Sequence, residues 1–293
     1  MLTQLTASNF KSWKSIPEMR LAPITGLFGT NSSGKTSILQ LLLLIKQTIE
    51  SSDRATVLEF GGDRALTNLG TFRDVVYQHL ASSSLSFGIS WERDSALSVH
   101  DPVQRGVVLF ASKKMGFHSE LKENGTDKLL PTRFTYTLGD NKISMQRKGT
   151  TGQKYELVVD AGDFRFVRTQ GRAWDLPLPV KCYGFPDQVY AYHQNAGFLA
   201  DLQLAFEELF RHLYYLGPLR DFPQRHYTWA GSEPADMGRR GERVVDALLA
   251  SRQKGRTISP GPHRKRQSLE ERVAYWLKEL GRMALPHFVV RAG

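Results

Sequence analysis

The stretch Gly29-Thr30-Asn31-Ser32-Ser33-Gly34-Lys35-Thr36 fits the pattern G-x-x-x-x-G-K-[ST], and no other feature constrains the fold of this chain as tightly. The glycines let the backbone curl until successive N–H groups point inward, a cradle for phosphate oxygens. A lysine at position 35 reaches the β- and γ-phosphates of a nucleoside triphosphate, and a hydroxyl at position 36 ligates Mg²⁺. Ser37 follows in the first helical turn and completes the candidate binding set. Such a loop works between a strand and a helix, because the helix N-terminus adds its dipole. The flanks read that way. Residues 20–28 read as a strand ending in Leu27-Phe28. Beyond the loop, Ile38, Leu42, Ile45 and Ile49 repeat at helical spacing, and Leu41, Leu43 and Leu44 widen the apolar face. A helix that apolar belongs against a sheet.

Composition sets the frame for this motif. With 293 residues, 41% of them hydrophobic and 11% aromatic, the chain has enough material for one large or two smaller globular domains. Its single cysteine, Cys182, excludes an internal disulfide framework and a multi-cysteine zinc site, fits a reducing cytosol, and is expected to be a small buried hydrophobe. The formal net charge of +10 biases the chain toward polyanions such as nucleotide or nucleic acid. The first ten residues lack the pattern of a signal peptide. The longest apolar stretch, residues 38–45, is interrupted by Gln40 and is far short of the roughly 20 residues of a membrane span. A cytoplasmic protein without a membrane partner is expected.

Three segments follow from the periodicity. Residues 1–84 read as a nucleotide-binding lobe that opens with a strand over 2–9. Residues 85–195 read as a β-rich arm. In it Leu85, Phe87, Ile89 and Trp91 alternate with small or polar residues, as do Phe134, Tyr136 and Leu138, then Ile143 and Met145, then Tyr155, Leu157 and Val159. Gly139-Asp140-Asn141 offers a turn, and residues 122–128 a loop. The pattern predicts an antiparallel meander with one wet face. Residues 196–293 read as helical: Leu199, Leu202, Phe206, Leu209 and Leu213 step by three and four, residues 242–251 form a shorter helix, and Ser268 with Glu271 makes a capping box for a last helix through Leu280. Between them residues 252–267 are basic, contain Gly and Pro, and read as a linker.

A resemblance can be placed on these residues. Asn9-Phe10-Lys11-Ser12 followed by the G-x-N-S-S-G-K-T loop resembles the start of an ABC-class AAA ATPase head of the SMC/Rad50/RecF and overcoming-lysogenization-defect branch. Asn68-Leu69-Gly70-Thr71-Phe72-Arg73-Asp74-Val75 is similar to the segment before the glutamine loop of that branch. Tyr215-Leu216-Gly217-Pro218-Leu219-Arg220, with Gly238-Arg239-Arg240-Gly241-Glu242, is similar to predicted ATPases carrying a DUF3696-type region. The resemblance implies an α/β fold, a P-loop NTPase head of ABC type, with ATP and Mg²⁺ as cofactors. It implies that Lys11 and Ser12 approach the nucleotide and that Gln78 senses Mg²⁺ and the γ-phosphate. Relatives in this branch act in DNA processing or phage defence.

The same resemblance requires parts that are not found: a signature segment, a Walker B strand ending in Asp-Glu, and a switch histidine. The nearest look-alike, residues 202–208, has helical spacing and Glu where Asp is required. The expected head is therefore partial, an N-terminal portion whose hydrolytic half lies elsewhere. The expected partner is a second copy or a complementary C-terminal half, and the apolar helix after the loop is expected to be partly uncovered, with poor solubility. Two function classes stay open, an ATPase engine and a non-catalytic nucleotide-sensing subunit that docks a partner such as a nuclease. A GTPase is disfavoured because Asn141-Lys142-Ile143-Ser144 lacks the Asp of Asn-Lys-x-Asp, and a kinase because no lid with paired arginines is evident. Arg239, Arg240 and Arg243 and the cations of residues 252–266 are candidate contacts for non-specific, salt-dependent DNA binding.

Overall fold

The computed structural model describes residues 1–62, 65–80, 84–100, 106–124, 128–149, 152–171, 174–222 and 224–284, and divides into two compact units, Met1–Leu213 and Tyr214–Gly293. The first unit is built on a seven-stranded sheet in which every paired neighbour is antiparallel. Its strands are β1 (Leu2–Phe10), β2 (Trp13–Arg20), β3 (Leu85–His100), β4 (Val108–Glu123), β5 (Leu129–Leu138), β6 (Asn141–Arg147) and β7 (Tyr155–Ala161), in the spatial order β2-β1-β3-β4-β5-β6-β7. The two-residue alternation explains the sheet. Leu5, Ile89, Phe117, Tyr136 and Ile143 are direct cross-strand partners across five adjacent strands, and all five are buried. The turn between β5 and β6 is tight, and Gly139 takes a φ of 60° there that favours glycine.

The buried face of the sheet is covered by helices. α1 (Lys35–Glu50), α2 (Phe72–Val75), α3 (Asp187–Tyr192) and α4 (Phe198–Arg211) belong to this unit. Phe206 of α4 is the centre of the packing: its ring lies 4.3 Å from that of Phe117, 5.2 Å from Phe210 and 5.4 Å from Tyr183 between centroids. Burying one such ring stabilises by about 1.5–3 kcal/mol. α1 is fixed at its polar positions too. Lys46 Nζ donates to the Phe210 carbonyl at 3.0 Å and pairs with Glu50, while the buried Lys181 donates to the carbonyls of Ile49 (2.9 Å) and Ser51 (2.7 Å) at the helix C-terminus. Cys182 is fully buried beside it, and burial pushes its thiol up to about 12. This is the inert, space-filling cysteine expected.

Several expectations need correction. The second strand is Trp13–Arg20, not residues 20–28. Ile16 on β2 points inward and is 3% exposed, whereas Ile24 and Phe28 are 92% and 94% exposed. Pro23 cannot donate to a ladder, and residues 21–28 form no strand. The sheet also crosses the expected division at residues 84/85, because β1 pairs directly with β3. The supported class is mixed α/β with an antiparallel sheet. α1 is better covered than expected: Leu41, Leu43, Leu44 and Ile45 are buried, and of its apolar side chains only Leu39 is exposed. Residues 125–127 of the expected 122–128 loop lie outside the described residues, and Lys122 and Glu123 end β4.

The second unit holds α5 (Val244–Gln253), the two-residue strands β8 (Thr257–Ile258) and β9 (Gln267–Ser268), and α6 (Leu269–Ala284). The expected basic linker is thus partly ordered by pairing of its two ends, Thr257 with Ser268 and Ile258 with Gln267. Arg266 Nε reaches Thr257 Oγ1 at 2.8 Å across that ladder. The capping box is formed as its sequence predicts: Ser268 N donates to Glu271 Oε2 (2.8 Å) and Glu271 N to Ser268 Oγ (3.1 Å). Gly217 N donates to the Arg239 carbonyl at 2.8 Å, which joins residues 215–220 to residues 238–242.

Candidate functional site

The loop at residues 29–36 leaves no strand and enters α1 directly, with Lys35 as its first helical residue. Lys35 Nζ turns back across the loop and donates to the carbonyls of Gly29 (2.9 Å) and Thr30 (2.6 Å), with Ser33 Oγ at 3.4 Å. An ammonium has three protons, so two firm bonds anchor it and the long third contact leaves one direction for a stronger acceptor such as a phosphate oxygen. Ser33 N donates to the Thr30 carbonyl at 3.3 Å and Ser37 N to the Gly34 carbonyl at 3.1 Å. These bonds close the curl of the loop. Gly34 sits at a φ of 84°, and a Cβ there would collide with Ser12 Oγ and come within 2.7 Å of Trp13 Nε1. No side chain fits at this position.

Three stretches distant in sequence wall one cavity of about 450 Å³. The first is the loop and helix start, Ser32 to Ser37. The second is the tip of the β1–β2 hairpin, Lys11 and Ser12. The third is α2 and the stretch that follows it, with Asp74, Val76, Gln78 and His79. The second and third are tied together. Lys11 N donates to the Val75 carbonyl at 2.7 Å, and Phe10 forms an antiparallel bridge with Val76. Of the predicted site residues, Lys11, Ser12, Ser32, Ser33, Gly34, Lys35, Thr36, Ser37 and Gln78 line this cavity. Gly29 and Thr30 contribute carbonyls to the lysine instead, and Asn31 is exposed outside the wall.

Backbone strain is concentrated here. Among the described residues seven non-glycine residues have positive φ, and four of them, Lys11, Ser32, Gln78 and His79, line the cavity. Each such conformation costs on the order of 1 kcal/mol and persists because surrounding bonds impose it. The His79 ring is held by its Nδ1, which donates to the Arg73 carbonyl at 2.9 Å. Asp74 is the carboxylate of the wall. Thr71 donates to its Oδ2 from both backbone N (2.7 Å) and Oγ1 (2.8 Å), which holds the carboxyl below its ordinary range, and the charges of His79 and Lys11 act in the same direction. The wall therefore carries two lysines and one ionised carboxylate, a net positive lining suited to polyphosphate.

The cavity fits Mg²⁺-triphosphate chemistry in its donor set. Thr36 and Ser12 supply hydroxyls, Gln78 an amide, Lys35 and Lys11 cations, and α1 the positive end of its dipole. Sequence reading missed Trp13, Asp74 and His79. Trp13 directly follows Lys11-Ser12, and its indole Nε1 donates to the Gly34 carbonyl at 3.0 Å. Asp74 was legible as the end of a Thr-x-x-Asp capping box, which places α2. Nothing in the sequence marks His79. The Walker B look-alike at residues 202–208 lies on α4, where Glu207 accepts from Tyr183 Oη and Gln203 Nε2, both at 3.0 Å.

No family model matches the chain, and no curated protein matches it. Among solved structures, one described by the words "Structural biochemistry of ATP-driven dimerization and DNA stimulated activation of SMC ATPases" aligns at 14% identity over 51% of this chain and 72% of that chain, with a TM-score of 0.25. A likeness of that size is weak and carries no argument about what this chain does.

Proposed function

We propose that this chain binds ATP with Mg²⁺ through residues 29–37, as a partial P-loop head of ABC type. The observation that carries the reading is the convergence of the hairpin tip, the glycine loop and the stretch around Gln78 on one cavity crossed by Lys35. Lys35 would hold the β- and γ-phosphates, Thr36 and Gln78 would face the metal, and Lys11 and Ser12 would close the site from the sheet side. The bound metal would neutralise phosphate charge and fix the orientation of the triphosphate. The choice of ATP over GTP, and a role in DNA processing or anti-phage defence, rest on the family resemblance alone.

A second reading, a nucleotide sensor without efficient turnover, is favoured by two observations. The carboxylate in the wall, Asp74, has an oxygen committed to Thr71, and the Leu-rich look-alike for a catalytic strand is helical. Hydrolysis requires a group that positions and activates water. Phosphate release by the purified chain separates the two readings. Binding without release supports the sensor, and release abolished by Lys35→Ala supports the enzyme. In either case the expected partners are a second copy, a complementary C-terminal half or a nuclease. Non-specific DNA would meet the exposed Arg239, Arg240 and Arg243. Lys254 and Arg256 are less available, because both pair with Glu233 at 2.5 Å.

A further inference from the structure

Trp13 lies outside the eight-residue motif, and nothing in that motif asks for an aromatic residue near it. Yet its indole N–H donates to the carbonyl of Gly34, across 21 positions of chain. A peptide unit is planar and trans, so its C=O and the following N–H point in opposite directions. The Gly34 carbonyl accepts from the indole at 3.0 Å and from Ser37 N at 3.1 Å, and fixing it there fixes the Lys35 N–H in the opposite direction, at the start of α1 where no i→i−4 carbonyl precedes it. This is the amide that would meet phosphate. The close approach of Gly34 to Ser12 and Trp13 shows that the loop is seated on the hairpin tip and not merely near it. The other side of the same two-residue tip is bonded to the far wall, Lys11 N to the Val75 carbonyl at 2.7 Å.

We infer that Trp13 is a positioning residue for the phosphate loop. It holds the Gly34–Lys35 peptide in its binding orientation and, through the hairpin tip, ties the loop to the wall that carries Gln78. The inference rests on the nucleotide-binding reading above. It adds a residue that touches no ligand and acts through the Gly34 carbonyl.

Trp13→Phe tests it in the full chain, because the ring stays packed against the core while the N–H donor is deleted. The expected result is an ATP affinity about tenfold weaker, the scale of one lost hydrogen bond, with a melting temperature in the absence of nucleotide that moves by no more than about 2–4 °C. Amide hydrogen exchange gives a readout that a purely structural role would not move selectively: without nucleotide, exchange in the segment around Gly34 and Lys35 is expected to quicken in Trp13→Phe while exchange across the sheet strands stays as in the wild type. Trp13→Tyr, which also lacks the donor at the indole position, is expected to match Trp13→Phe and replaces it if that variant does not fold. Wild-type binding with unchanged affinity in these variants overturns the role of Trp13 and leaves the nucleotide reading standing. A melting temperature that falls together with affinity makes Trp13 structural and overturns the inference. A wild type that does not bind ATP overturns both.

Discussion

At the scale of single residues, the site is decided by what cannot be larger and what cannot be neutral. Gly34 is the first kind. Its φ of 84°, and an indole nitrogen only 2.7 Å from where a Cβ would stand, leave no room for a side chain. Gly34→Ala is expected to destabilise the chain by about 1–3 kcal/mol and to weaken ATP binding more than tenfold, both read from thermal melts and a titration. A variant with unchanged stability would mean that the loop moves freely off the hairpin tip. Lys35 is the second kind, since its ammonium bridges the two ends of the loop through the Gly29 and Thr30 carbonyls. The motif residues were legible because their chemistry is bound to fixed spacing. Trp13 and His79 were not, because each acts through a backbone carbonyl brought near by the fold, at Gly34 and Arg73.

At the scale of elements, periodicity was a good guide where one face is buried and a poor one at the loop's approach. Leu85, Phe87, Ile89 and Trp91 alternate, and all four are buried on β3. Residues 20–28 contain enough apolar side chains to resemble a strand, but Pro23 and Gly26 interrupt them and the ladder ends at Arg20. Helix ends were readable where a side chain caps them locally, as at Ser268 and Glu271. The cap at the C-terminus of α1 was invisible because Lys181 arrives from 130 residues away. Buried polar groups at such junctions give a pH prediction. Burial pushes the His193 imidazole below its ordinary 6.5, against a favourable bond from Nδ1–H to the Val189 carbonyl, and Arg168 adds to the depression. The native state then resists a proton that the unfolded chain accepts. This contribution is fully present above about pH 6.5 and is lost as pH falls through that value toward the lower native one. Denaturant melts between about pH 7 and pH 5 should show stability falling in the wild type and a flatter profile in His193→Gln. Parallel profiles would show that His193 does not control this slope.

At the scale of the whole molecule, the sheet and its helices form one unit and the basic C-terminal region another. The seven-stranded sheet was legible as a meander, but its extension through β1 and β2 was not, because the pairing of β1 with β3 joins segments more than 75 residues apart. Apolar surface near the loop was expected on α1, where of the apolar side chains only Leu39 is exposed, and lies mainly on Ile24 and Phe28. Neither side chain is packed, so Ile24→Ser combined with Phe28→Ser is expected to raise solubility with little change in melting temperature. A clear drop in melting temperature would place these residues in a core. No helix among the described residues is long and apolar enough to cross a membrane.

Nucleotide binding by this chain depends on the phosphate loop. Calorimetric titration of ATP with Mg²⁺ into the wild-type chain and into Lys35→Ala tests it most directly. Saturable binding by the wild type at one site, weakened at least about a hundredfold in Lys35→Ala, is the predicted result, since a charged hydrogen-bonding partner of the phosphates is removed. Equal binding by both chains, or none by a folded wild type, would contradict it.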